Sequence, residues 1–440
     1  MALKVPSKKK LFVELKKLSQ SKIVQNFFVC SFGALLLRGI NILFAPITMR
    51  ILSPADYGII ALSSSFVGIL GVLLGLGQRG FLSMEYFHLN TPQRKSMLNN
   101  IILMYLVFGA PVILFLCLYP DLVNKLVFLN KASNLVIIFG VLYSFLFSFT
   151  QLFYNVLGYR QQVKKLTGIQ ITAAVFTIGP TLLFLCFFKW GVVSVLLGQL
   201  LGIIFVCIIG LKSYFATSCH LHLDTKKFRQ SYAHYLKTGF AFLPGNICGW
   251  ALASSDRWIL AQYTNLHDVG IYSLAAVFGQ LFQMMILTPM IRAYIPAALN
   301  KFSKNKDNLG PSVKWNRKNM VLSMVGLVVL VSVGYAISKP ILRFILPLRY
   351  QPAINYIWLI LMGQIFLLGE HFTTVQILFH KKIRFHAVSL FIPSLLNIGL
   401  NIVLIPHFGI TGCVVATLIA YLCYFATKLS YNFYLDTQNR

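Results

Sequence analysis

What most constrains this chain is a series of apolar runs, each long enough to cross a hydrocarbon layer of about 30 Å as a helix. Twelve such runs lie at roughly 25–48, 58–78, 99–119, 134–158, 167–188, 191–211, 239–263, 269–295, 319–338, 353–379, 386–406 and 409–430. In hydrocarbon every backbone N–H and C=O must find its partner within the segment, so runs of this length are expected as helices. The predicted fold is therefore an all-α membrane protein with about twelve transmembrane helices. Composition agrees: 57% of the 440 residues are apolar and 11% charged, with a mean hydropathy of +0.74. So few charges cannot cover the surface of a soluble protein this size. The longest connection, 212–238, is too short for a domain of its own.

Lys and Arg total 39 against 10 Asp and Glu. With the N-terminus inside, the inner segments carry 29 Lys and Arg, counting Lys428 with the tail, and the outer loops carry 7. Arg38, Arg257 and Arg292 fall within the runs. This asymmetry predicts cytoplasmic N- and C-termini. The basic surplus suits loops facing anionic lipid; nucleic acid is not an expected partner, because no soluble domain presents a basic face. Residues 1–23 form a basic, amphipathic stretch (Leu11, Phe12, Leu15, Leu18) expected on the inner leaflet. The expected organisation is this N-terminus, a six-helix lobe over 24–211, a cytoplasmic linker over 212–238, a second six-helix lobe over 239–430, and a tail over 431–440.

The two halves resemble each other. Asp56-Tyr57-Gly58-Ile59-Ile60-Ala61-Leu62 is matched 212 positions later by Asp268-Val269-Gly270-Ile271-Tyr272-Ser273-Leu274. Trp190-Gly191-Val192 returns 218 positions later as Phe408-Gly409-Ile410. Six is an even number of crossings, so both copies enter from the same side. They are expected as parallel repeats, two six-helix lobes around a central cavity.

Ionisable groups inside hydrocarbon are costly and need a reason. Arg38 lies 12–14 residues into the first run, or about 20 Å along a helix, near the midplane. It is a candidate to face a polar cavity, with Asn41 one turn on along the same face. Asp256 and Arg257 are adjacent in the seventh run and point about 100° apart on a helix. They cannot pair well with each other, and at least one needs a different partner. Arg257 is a candidate substrate-binding residue with Arg38 and Asn41; Asp256 is a candidate for ion coupling. Glu370 and His371 in the tenth run are further ion-coupling candidates, because a carboxylate and an imidazole withdrawn from water exchange protons readily. Against each stands a plainer role in helix–helix bridging. Pro46, Pro111, Pro180, Pro244, Pro289 and Pro393 are expected to interrupt six of the helices.

Enzymatic signals are poor. The chain has no P-loop, GxSxG or HExxH motif, and no catalytic residue or cofactor is expected. Cys219-His220-Leu221-His222 is too compact for a zinc site, so no metal is expected either. The eight cysteines show no CxxC spacing.

Four stretches resemble bacterial polysaccharide-lipid flippases. Arg50-Ile51-Leu52-Ser53-Pro54-Ala55-Asp56-Tyr57-Gly58 resembles their R-x-L-x-P-x-x-Y-G signature. Asp256-Arg257, followed by Val269-Gly270-Ile271-Tyr272-Ser273-Leu274-Ala275, is similar to their D-R…V-G-x-Y-x-x-A element. Leu346 to Ala353 looks like their L-x-x-x-Y-x-x-A loop, although Pro347 departs from its usual glycine-containing turn. Asn397 and Asn401, with Leu404 to Gly412, resemble their N…L-I-P-x-x-G-x-x-G stretch. The family is the O-antigen and exopolysaccharide branch of the multidrug/oligosaccharidyl-lipid/polysaccharide exporter superfamily.

The resemblance implies a non-enzymatic transporter in the bacterial inner membrane. The implied cargo is an undecaprenyl-diphosphate-linked oligosaccharide, moved from inner to outer leaflet by alternating access through a cationic cavity. Implied partners are that lipid-linked glycan, membrane lipids, and glycan polymerase and export machinery. A multidrug extruder of the same superfamily is the alternative, disfavoured by arginines in the membrane. A membrane polymerase or glycosyltransferase is more distant, since the longest outer loop is about 14 residues.

Overall fold

The computed structural model describes residues 44, 46–215, 225–306 and 308–438, and every regular element among them is helical. In the first half lie α1 (Pro54–Gly75), α2 (Gln78–Glu85), α3 (Thr91–Leu118), α4 (Asn134–Tyr159), α5 (Val163–Cys186) and α6 (Val192–Phe215). The second half holds α7 (Thr225–Tyr263), α8 (Leu266–Lys304), α9 (Gly310–Ile345), α10 (Ile354–Phe379), α11 (Ile383–Val388) and α12 (Phe391–Gln438). Nine stretches of the described residues are long and apolar enough to cross a membrane. The first expected helix falls almost wholly outside the described residues. The eleventh and twelfth are joined in α12, which bends at Gly409.

Polarity is distributed as lipid demands. Along α9, Val321, Val325, Val329, Val333, Ile337 and Phe344 are exposed, a face only hydrocarbon would cover. Polar side chains are turned inward: Asn397, Asn401, Gln376, Glu370 and Lys428 are all buried. Prolines are accommodated by local widening. A π-helical turn at Tyr105–Gly109 precedes Pro111, and another at Gln283–Leu287 precedes Pro289. A wide turn re-registers the ladder where proline cannot donate. Pro180 and Pro244 lie inside α5 and α7. Pro393 does not interrupt a helix as expected but lies in the first turn of α12, because the chain has already broken after α11.

The repeat seen in the sequence is a repeat in space. Ser53 caps α1, accepting from the Asp56 backbone N–H at 3.2 Å while Asp56 Oδ2 accepts from the Ser53 N–H at 2.8 Å. Asn265, 212 positions on, caps α8 by accepting from the Asp268 N–H at 2.9 Å. The recurring aspartates are thus helix-start residues. The recurring glycines bring the lobes together. A β-carbon at Gly58 would collide with the Leu266 carbonyl, and one at Gly270 with the Pro54 carbonyl. Pro54 and Leu266 are themselves 212 apart, so the two collisions exchange under one two-fold operation relating α1 to α8. Gly191 and Gly409 share a positive φ, 57° and 53°, at the second pair of matched turns.

Three of the family-like stretches meet at this end of the interface between lobes. The Tyr350 hydroxyl, fully buried, donates to the Leu52 carbonyl at 2.8 Å. Arg349 Nη2 donates to the carbonyls of Met49 at 2.7 Å and Arg50 at 2.8 Å. The Tyr57 and Tyr350 rings meet edge to face, 5.4 Å apart. Deeper, Ser65 of α1 donates to Ser254 O and Trp250 Nε1 of α7 donates to Ser65 O, each at 2.9 Å.

Candidate functional site

A cavity of about 430 Å³ opens inside the second lobe, between α7, α8, α10 and the second half of α12. Its polar lining includes Asp256, Arg257, Tyr272, Gln280, Gln283, Gln364 and Thr417. Asp256 and Arg257 are 3% and 9% exposed, so both charges are withdrawn from bulk water. The expectation that at least one of these neighbours needs a different partner is met, although the two also form a long ion pair. Asp256 Oδ2 accepts from the Tyr272 hydroxyl of α8, and its Oδ1 accepts from the Arg257 backbone N–H at 2.8 Å. Arg257 Nη1 stands 3.8 Å from Asp256 Oδ1 and donates to the Ala253 carbonyl at 3.1 Å.

A guanidinium carries five N–H donors in a planar fork. Among the described residues, the bond to Ala253 is the one hydrogen bond the Arg257 side chain makes, beside its long ion pair with Asp256. The remaining donors face a cavity lined by amides and hydroxyls, where an anion would be held by charge-assisted hydrogen bonds. Gln364 Oε1 is buried there with no partner among the described residues.

A second constellation lies elsewhere in the same lobe. Glu370 of α10 pairs with Lys428 of α12, and Glu370 Oε1 also accepts from Thr374 at 2.9 Å. The Lys428 ammonium reaches Thr374 Oγ1 at 3.0 Å and His386 Nδ1 of α11 at 2.8 Å, and lies over the Tyr424 ring at 4.5 Å. His371 Nδ1 stands 3.2 Å from Glu370 Oε2. Lys428 is fully buried, which corrects its assignment to the inner tail; the inner count of basic residues falls from 29 to 28. The charge balance still points the same way.

The structure brings Asp256 and Arg257 to one cavity and Glu370 and His371 to a separate cluster. Arg38 and Asn41 lie outside the described residues. Sequence reasoning missed Tyr272 as the partner of Asp256, and missed Lys428 and His386. A lysine enclosed by Leu422, Cys423, Tyr424, Phe425 and Leu429 carried a readable signal, but its place near a helix end allowed a snorkelling interpretation. Among the described residues no group of His, Cys, Asp and Glu could hold a metal ion.

These features define a multi-pass, all-helical membrane protein built as two lobes, and solved structures share that architecture. One is the lipid II flippase MurJ in an inward closed conformation, with a TM-score of 0.72, 16% identity, and coverage of 93% of this chain and 87% of that one. An inward-facing multidrug resistance MATE family transporter of the MOP superfamily gives 0.68 at 11% identity, covering 90% and 93%. An outward-facing one gives 0.57 at 12% identity, covering 95% and 96%. These proteins are transporters and a flippase, not enzymes. No curated protein sequence matches the chain. The model of the polysaccharide biosynthesis protein family matches residues 23–305. The chain belongs to that family.

Proposed function

We propose that this protein moves a polyprenyl-diphosphate-linked oligosaccharide from the inner to the outer leaflet of the bacterial inner membrane, for O-antigen or exopolysaccharide synthesis. The observation that carries the reading is Arg257, a buried guanidinium with most of its donors unused, facing a polar cavity in a polysaccharide biosynthesis family member. A diphosphate cannot cross hydrocarbon with its water shell, and a fork of N–H donors in a cavity replaces that shell. Arg38 and Asn41 are proposed to complete the cationic path from the first helix. The polyprenyl tail stays in the bilayer.

Transport runs by alternating access between the two lobes. On the orientation expected from the Lys and Arg balance, both termini are cytoplasmic and the Leu52–Tyr350 contacts hold the external end of the interface between lobes closed. Ion coupling is assigned to Asp256, which lines the cavity, with the Glu370–His371 cluster as a second site. Glu370 already has Lys428, so its protonation would first have to break an ion pair. Glycan polymerase and export machinery act on the delivered product.

The test is export in a strain carrying Arg257→Gln at normal membrane abundance. Accumulation of lipid-linked glycan on the inner leaflet is the expected result. Undiminished export would remove Arg257 from the path. A deletion strain that becomes drug-sensitive while exporting glycan normally would favour the multidrug extruder instead.

A further inference from the structure

The first lobe contains a second cavity, of about 260 Å³, set between α4, α5 and α6. Three helices each send one carboxamide into it: Gln151 from α4, Gln170 from α5 and Gln199 from α6. None of these amides has a hydrogen-bond partner among the described residues. All three glutamines are half-buried, and an amide without a partner is costly against lipid, so the cavity suits a polar occupant. The wall beside them is aromatic. Tyr143 and Phe147, one turn apart on α4, hold their rings within 21° of parallel, 5.9 Å between centroids. No lining residue carries a formal charge, in contrast to the cavity of the other lobe.

The two cavities correspond in part. Gln199 here and Thr417 there are 218 positions apart, the separation that relates Gly191 to Gly409. Corresponding repeat members, α4 with α10 and α6 with the second half of α12, wall both. One lobe thus offers a guanidinium in its cavity, and the other neutral amides with an aromatic shelf.

We propose that the Gln151–Gln170–Gln199 cavity is a subsite for an uncharged pyranose ring of the cargo. Carboxamides donate and accept, as paired sugar hydroxyls do, and the apolar C–H face of a pyranose covers an aromatic ring. With no cation among the lining residues, nothing offsets the burial of a carboxylate, so the subsite discriminates against acidic sugars. The subsite deepens the flippase reading and rests on it for its place in transport.

The experiment uses the full-length protein in lipid nanodiscs and three probes: methyl glucoside, methyl glucuronide and farnesyl diphosphate. Saturation-transfer NMR reads the two sugars, and thermal stabilisation reads the diphosphate. Methyl glucoside should give contacts that weaken about fivefold in Gln151→Leu and again in Gln199→Leu, one hydrogen bond each. Those variants should keep wild-type melting and farnesyl diphosphate binding, and Arg257→Gln should keep the sugar contacts while losing the diphosphate. If Gln151→Leu or Gln199→Leu melts early, Gln151→Asn and Gln199→Asn, which keep the amide but shorten its reach, replace them. No glucoside contact with the wild type, contacts indifferent to both glutamines, or equal contacts from the glucuronide would each overturn the subsite. Failure of farnesyl diphosphate alone would count against the flippase reading and leave the sugar site standing.

Discussion

The Tyr350 hydroxyl donates to the Leu52 carbonyl across the interface between lobes, joining residues 298 positions apart. Beside it Arg349 ties down the carbonyls of Met49 and Arg50. These bonds must break whenever this face opens. A net hydrogen bond contributes about 1 kcal/mol, so Tyr350→Phe should raise the open population about fivefold. In a background without native cysteines, a thiol introduced as Leu266→Cys should then be labelled faster from outside. Labelling unchanged by Tyr350→Phe and by Arg349→Ala together would mean the face does not open here.

Gly58 and Gly270 carry equal weight if the two-fold relation holds. Gly58→Val and Gly270→Val each force a side chain into the opposing helix backbone, at a cost of about 1–3 kcal/mol. Thermal unfolding in detergent should show two losses of similar size. A large loss in one variant and none in the other would contradict the equivalence.

The pair Glu370 and Lys428 is buried from both sides. Removing one partner strands the other charge, so Glu370→Leu and Lys428→Met should each destabilise the lobe by about 3–5 kcal/mol. The double variant should recover much of that loss, since two apolar side chains leave no charge to solvate. Additive losses in the double-mutant cycle would show that the two do not act as a pair.

Arg257 should separate geometry from charge. Arg257→Gln removes the cation and should lower export by about ten- to a hundredfold, the worth of charge-assisted hydrogen bonds to one anion. Arg257→Lys keeps the charge but not the planar fork, and should export at an intermediate rate. Quantifying lipid-linked glycan on each leaflet checks both.

Asp256→Asn tests coupling. Its acceptor role toward Tyr272 survives while its charge is lost. In vesicles with an imposed proton or sodium gradient, the variant should lose the gradient dependence of export but keep the slow downhill component. Wild-type export indifferent to both gradients would end the coupling proposal.

Much of the fold was legible because the membrane makes local sequence decisive. A run of about twenty apolar residues has no choice but helix, since no water is present to satisfy its backbone. The repeat was legible for a similar reason: Asp56 and Asp268 stand at helix starts, where their chemistry is spent within one helical turn. That Asp256 or Arg257 would need a further partner followed from helix geometry alone.

What the sequence could not settle is which face of each helix looks into a lobe. Lys428 illustrates this: near a helix end, a lysine can snorkel to the interface or turn inward, and both leave the same sequence signature. Only the packing of α10 and α11 beside α12 set Glu370, Thr374 and His386 around its ammonium. The same holds for Gln151, Gln170 and Gln199, unremarkable singly on three helices and a site only once those helices meet. Segment by segment, hydrophobicity and helix-end chemistry determined the helices and their repeat. Which polar groups share a cavity depends on contacts between segments far apart in the chain, and those contacts exist only in the assembled lobes.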